Sequence, residues 1–335
     1  MSVDYSQCSR LARWMVALAI LVVLPQAARS QWRATVGAQS QQKGKQVLAF
    51  LPNELWIHAG DSITWKFEAG EIHTVTFLAT NPVPQARPLF QEGCLGLFSS
   101  DPSTFDGSSC VSTPPLVQGA TFTVQFPAPG NYKLVCLVHP DMTGVVHVLE
   151  LSKPLPHTQS FYDDEAEAQT GALLSDADHE DEEEGDSASH SAEHQVVVGG
   201  GEISTNAGGA STLSIMRFVS HTAIIHAGQT VEWASDDPED PHTITFGTEP
   251  AGDPFPPSSN VTIDADGARH AVINSTSDSV HSGFLLAAPQ DRTGRAQSPL
   301  GVTRFRITFT HPGTYPYICA LHDNLGMKGK IIVLP

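Results

Sequence analysis

The sequence predicts an all-β protein built from two Greek-key-like β-sandwiches in tandem, joined by a disordered acidic linker. Three observations carry this reading. Apolar residues alternate with polar ones at Phe122, Val124 and Phe126, and again at Phe305, Ile307 and Phe309, as half-buried strands require. Pro and Gly punctuate both halves, and neither half holds a long stretch of helical period. The chain also repeats itself. Ile57-His58-Ala59-Gly60 returns as Ile225-His226-Ala227-Gly228, and His73-Thr74-Val75-Thr76-Phe77 returns as His242-Thr243-Ile244-Thr245-Phe246. Trp65 pairs with Trp233, and Cys136-Leu137-Val138-His139 with Cys319-Ala320-Leu321-His322, in the same order.

Residues 1–30 read as a signal peptide. Arg10 and Arg13 form a basic start, Trp14 to Leu24 an apolar run, and Ala28-Arg29-Ser30 a small-x-small cleavage site before Gln31. The run is shorter than the ~20 residues of a bilayer span, which favours cleavage over an anchor. The expected location is therefore exported, periplasmic or extracellular, and soluble after cleavage. The first unit then covers 31–152. Within it, Leu55-Trp56-Ile57, a Gly turn and Ile63-Thr64-Trp65 read as two strands joined tightly.

Residues 153–197 form the linker. Of the formal charge of −18, 13 Asp and Glu fall between 154 and 195, with no Lys or Arg among them. Such a segment is expected to stay unfolded for want of apolar surface, acting as a tether with a root-mean-square span of roughly 35 Å. The looseness is expected to continue through the Gly-rich stretch 199–209. The second unit covers 198–335. Acidity overall argues against nucleic acid as a partner, since phosphate binding needs clustered cations.

The five cysteines divide by position. Cys8 precedes the apolar run and is lost on cleavage. Cys94 and Cys110 are expected to pair in an oxidising compartment, stabilising by roughly 3 kcal/mol in the chain-entropy model; two free thiols or a separate metal site are the alternatives. Cys136 and Cys319 each have a His and a Met close behind: Cys136-x-x-His139-x-x-Met142 and Cys319-x-x-His322-x-x-x-x-Met327. A type 1 (blue) copper takes one thiolate and two imidazoles near a plane, with a weak axial thioether. A short loop can supply three of these, and His73 and His242, each opening a Thr-Val/Ile-Thr-Phe strand, are placed to supply the fourth.

With those motifs the chain resembles, twice over, the plastocyanin, amicyanin and pseudoazurin family of blue copper proteins. CLVHPDM has the short amicyanin-like spacing and CALHDNLGM the longer plastocyanin-like one, and Gly144 and Gly329 follow each Met as the family's closing strand expects. The resemblance implies two cupredoxin-like domains. It implies His73, Cys136, His139 and Met142 as one copper ligand set and His242, Cys319, His322 and Met327 as the other. It further implies that His139 and His322 present the edge nearest solvent and act as electron ports. Two departures stand out. Thr74 and Thr243 replace the Asn usual after the first ligand, which leaves the hydrogen bonding around the metal open. Insertions at 94–118 and about 250–300 could cover or extend the region around each site.

Other repeated or clustered groups are expected to be structural. His58 and His226 precede an Ala-Gly turn, His147 lies on an exposed strand position, and Trp65 and Trp233 are core aromatics. His157, His179, His190 and His194 belong to a solvated spacer, with loose metal binding the alternative.

Four protein ligands leave no vacancy for substrate, which suits electron transfer. The chain is thus expected to be an electron carrier and not an enzyme, with two copper ions and redox proteins, membrane-bound or free, as partners. No small-molecule substrate is evident. A copper store, chaperone or sensor is the alternative, and a two-domain copper oxidoreductase a further one. The latter needs extra histidines, yet Val135 and Ile318 precede the cysteines and neither His-x-His nor Cys-x-x-x-Cys occurs. Two tethered centres would serve as a relay or hold a carrier near a membrane.

Overall fold

The computed structural model describes residues 29–79, 98–190, 194–251, 256–286 and 303–335, with side chains of 178–190 excluded. The expected signal segment and Cys94 lie outside these residues; Cys110 is disulfide-bonded.

The first unit contains β1 (Gln31–Gln39), β2 (Lys45–Leu51), β3 (Glu54–His58), β4 (Ser62–Phe67), β5 (Thr76–Phe77), β6 (Ser103–Thr104), β7 (Val111–Ser112), β8 (Thr121–Gln125), β9 (Gly130–Val135) and β10 (Thr143–Leu149). They form two sheets, β2-β1-β4-β8-β6 and β3-β10-β9-β5-β7. Both are mixed: β1 runs parallel to β4 and β3 parallel to β10. Alternation puts Ile63, Trp65 and Phe67 of β4 inward, against Phe122 and Val124 of β8 and Phe77 of β5. Trp65 is the fully buried core aromatic that its repetition suggests.

After helix α1 (Gln159–His190), the second unit contains β11 (Gln195–Val198), β12 (Gly201–Thr205), β13 (Ala210–Ile215), β14 (Phe218–Val219), β15 (Thr222–His226), β16 (Thr230–Ser235), β17 (Thr245–Phe246), β18 (Thr262–Ile263), β19 (Arg269–Ile273), β20 (Val280–His281), β21 (Arg304–Phe309), β22 (Gly313–Ile318) and β23 (Lys328–Leu334). Its sheets, β14-β11-β16-β21-β19-β18 and β15-β23-β22-β17-β20, repeat the order of the first unit with β18 added at one edge. Small details repeat too: the Tyr132 hydroxyl donates to Ala128 O at 3.0 Å and Tyr315 to His311 O at 2.8 Å.

Two expectations about the joining region are corrected. The segment read as a disordered tether carries α1, which packs on β1, β2 and β13. Tyr162, Ala166, Leu173 and Ala177 fall on one helical stripe facing those strands, against Val47, Ala49, Leu51, Leu213 and Ile215. Mean composition hides so sparse a stripe, while Glu and Ala favour the helix and the acids Asp163, Asp164, Glu167 and Asp176 stay outward. Tyr162 also satisfies the outer edge of β3: its hydroxyl accepts the Trp56 N–H at 2.8 Å and donates to Trp56 O at 3.1 Å.

Nor is the Gly-rich stretch 199–209 loose. It enters the hairpin β12–β13, and β13 pairs antiparallel with β2, Leu213 opposite Val47, so that one seven-stranded sheet spans both units. Gly201 and Gly209, at φ of +153° and +159°, approach Leu213 O and Thr143 O too closely for any side chain. Glycine here permits packing. The two units are thus clasped by a shared sheet with α1 across it.

Candidate metal centres

In each unit the first imidazole is set by a loop before a two-residue strand. His73 exchanges two backbone hydrogen bonds with Leu116 (2.9 and 2.8 Å), and His242 exchanges the same pair with Leu285. Residues of the two insertions thus clamp the first imidazole's backbone. Cys136 and Cys319 directly follow β9 and β22, and their N–H groups donate to Met142 O (3.0 Å) and Met327 O (3.1 Å), closing each loop. The second loop is two residues longer. It absorbs them in a 3-10 turn, Asp323–Leu325, ended by Gly326 at φ +101°.

The donor atoms converge. His73 Nδ1 lies 3.0 Å from His139 Nδ1, which lies 3.7 Å from Cys136 Sγ. In the second unit the His242–His322 separation is 3.0 Å, and Cys319 Sγ lies 4.0 and 3.6 Å from the two nitrogens. Bonds of about 2.0 Å to nitrogen and about 2.3 Å to sulfur, opened by roughly 120°, would set nitrogen and sulfur about 3.8 Å apart. The residues present therefore fit a single first-row ion in each unit. Met142 and Met327 are wholly buried in the same clusters as the cysteines.

Threonine performs the hydrogen bonding that the departure from Asn had left open. The Thr74 N–H points at Cys136 Sγ (3.4 Å) while its hydroxyl accepts the Leu137 N–H (2.8 Å). Thr243 repeats both contacts at 3.3 and 2.7 Å. Burial alone would raise the Cys136 and Cys319 thiols, but the adjoining imidazoles outweigh it and hold both well below the usual thiol range.

A comparison with protein-family models matches residues 36–149 and 204–334 to the copper binding proteins of the plastocyanin/azurin family. The chain belongs to this family. Among solved structures, a reduced amicyanin variant is 19% identical, covering 37% of this chain and 87% of its own, with a TM-score of 0.24. An oxidised plastocyanin from Dryopteris crassirhizoma is 20% identical, covering 42% and 99%, with a TM-score of 0.22. A purple cupredoxin from Nitrosopumilus maritimus is 21% identical, covering 35% and 99%, with a TM-score of 0.24.

The expected electron ports are corrected. His139 and His322 are 1% and 3% exposed, because the two units face each other at these rings. His139 Nε2 lies 2.9 Å from Asp240 Oδ1 of the second unit, and His322 Nε2 lies 3.3 Å from Glu71 Oε2 of the first. Glu71 and Asp240 are buried functional candidates that the sequence reading missed. The available signal was positional: each stands two residues before a first-ligand His. Burial opposes ionisation of Asp240, but His139 and His322 outweigh it and keep its carboxyl far below the usual range.

The first-ligand rings differ between units. His242 Nε2 lies 3.0 Å from Asp237 Oδ2; burial would lower this imidazole, but hydrogen bonds with Asp237 and Cys319 lift it to about 9. His73 Nε2 is buried without a hydrogen-bond partner among the described residues. A Cβ added at Gly37 would meet Ala69 Cβ and His73 Nε2, and one at Gly199 would meet Asp237 Cβ and His242 Nε2. Ala69 thus occupies the place of Asp237.

His147 is corrected as well, being stacked on Trp56 with Nε2 2.9 Å from Glu54. His58 instead contacts Lys153 O and His226 contacts Pro335 O, neither at a metal centre.

Proposed function

We propose that this chain is an exported electron carrier with two type 1 copper centres, one held by His73, Cys136, His139 and Met142 and the other by His242, Cys319, His322 and Met327. The carrying observation is the repeated convergence of two Nδ1 atoms and one cysteine sulfur, buried, at separations that suit one ion. Copper so held supplies a one-electron couple. The protein's part is to keep the donors fixed through the change of charge. Threonine and backbone hydrogen bonds steady each sulfur, while the Leu116 and Leu285 pairings fix the first rings. Each ligand set is closed, which supports transfer of electrons over storage or turnover of a substrate. The domains 31–152 and 198–335 each carry one centre, with 153–197 between them, and redox proteins are the proposed partners. Among the described residues no helix is long and apolar enough to cross a membrane.

Metal analysis and an absorption spectrum of the protein from Gln31 onward test this. Two coppers per chain and an intense blue thiolate-to-copper band are expected. Cys136→Ser and Cys319→Ser should each remove about half of that band; loss of none on replacing either cysteine refutes the assignment for its unit.

A further inference from the structure

We propose that the two centres form one intramolecular pair, joined imidazole edge to imidazole edge through the exchanged carboxylates Glu71 and Asp240, so that electrons pass between the units without leaving the protein. The proposal rests on the two-copper reading above and specifies its route.

Four observations point there. First, the contacts are reciprocal: Asp240 of the second unit meets His139 of the first at 2.9 Å, and Glu71 of the first meets His322 of the second at 3.3 Å. Glu71 is also 4.0 Å from His139, so one carboxylate touches both rings. Second, the chemistry is matched. In both rings Nδ1 faces the metal position, which leaves Nε2 carrying the proton toward the facing carboxylate; at His139 the 2.9 Å approach of Asp240 is an ion-pair contact without hydrogen-bond geometry. Third, among the described residues these carboxylates have only histidines as ionic partners, although both are buried. Buried carboxylates with no Lys or Arg are costly unless positive charge lies just behind the imidazoles. Fourth, the facing edges are held together by the β2–β13 pairing and at their rim, where Asp141 N–H donates to Glu239 (3.0 Å) and Asn53 to Asn206 (2.8 Å).

In the step itself one electron leaves the reduced centre of one unit and reduces the oxidised centre of the other. No bond forms or breaks, both Nε2 protons stay in place, and no outside reactant is consumed. Glu71 and Asp240 are positioning residues: they hold the rings edge to edge and, being anionic, favour the more positive, oxidised state. An outside partner must reach the protein elsewhere, since both edges are closed.

The test reads each centre alone in the full chain, with Cys136→Ser keeping only the second and Cys319→Ser only the first. Glu71→Gln lies in the first unit, yet it should raise the reduction potential of the Cys319 centre and alter its EPR hyperfine pattern. Asp240→Asn should do the same to the Cys136 centre. A shift of about tenfold in the oxidised-to-reduced ratio is expected for each, and Glu71→Asp should restore most of it. The two-centre parent, titrated with the same carboxylate variants, gives the two potentials without the cysteine changes. Potentials that move only within the substituted unit, or not at all, overturn the pairing. A metal count above two per chain that falls to two in Asp240→Asn also overturns it, by placing an ion where the ring–carboxylate contacts are assigned. Absence of copper from both single-centre chains and from the parent would defeat the functional reading itself, and this proposal with it.

Discussion

Asp237 offers the sharpest perturbation, because it is where the duplicated units stop being equivalent. Its carboxylate is fully buried, 3.0 Å from His242 Nε2, held by N–H groups of Glu239 (2.9 Å) and Asp240 (2.8 Å) and by the Ser214 hydroxyl. The first unit has Ala69 there and a His73 Nε2 without a hydrogen-bond partner among the described residues. A unit negative charge roughly 7 Å from the metal position, at an effective dielectric near 20, favours the oxidised state by about 2 kcal/mol. Loss of a hydrogen-bond partner behind a metal-bound His costs about 10- to 100-fold, or ~1.4–2.7 kcal/mol, by a separate route. At ~59 mV per tenfold change for one electron, Asp237→Asn should raise the potential of the Cys319 centre by about 60–120 mV. The centres should also be unequal at rest, the Cys319 centre being the lower, so that electrons settle on the Cys136 centre. Redox titration at the blue band, in the Cys136→Ser chain and in the two-centre parent, measures both. A potential in Asp237→Asn that stays put or falls would refute the electrostatic argument.

Three further outcomes follow from the packing. Gly199→Ala places a Cβ 2.3 Å from His242 Nε2 at a φ of +66°, so copper should be lost from the second unit while the first keeps its own, as metal analysis and the residual blue band will show. Leu173→Ala should destabilise by about 2–5 kcal/mol in chemical denaturation, since Leu173 packs α1 onto the shared sheet; a change under ~1 kcal/mol would return the helix to the status of a tether. Tyr162→Phe leaves the Trp56 N–H and carbonyl without their partner and should cost about 1–3 kcal/mol, read by the same titration.

The two sandwiches and eight proposed ligands were legible in the sequence because each rests on a local signal written twice. The strand of Phe122, Val124 and Phe126 shows its period directly, and the Cys-His-Met loops carry three donors within a few residues. The helix was not legible. Average composition over 153–197 is dominated by acids, whereas four small or apolar residues on one stripe suffice to dock it once β1, β2 and β13 provide a surface. The hairpin β12–β13 was missed for a related reason: its glycines look like slack, but their role is close approach to another unit's backbone, which no window along the chain can register.

Glu71 and Asp240 show where reading a single unit fails in principle. Taken within its own unit, each is an acid two residues before a proposed ligand, with nothing to distinguish it from a solvated neighbour. Their meaning appears only when two copies are set face to face, since each lies within ion-pair distance of the opposite copy's His. In a lone copy that ring edge would meet water and be open to a partner protein. Here the second copy occupies the place of the partner, and the same edge becomes an internal contact. If the clasp makes the route, weakening it should slow exchange without changing either centre's ligands. Leu213→Asp would put an unpaired charge against Val47 and α1 in the shared sheet. Electron exchange between the coppers should then drop, with each blue band intact; exchange at the parent rate in a chain whose units have demonstrably separated would place the route elsewhere.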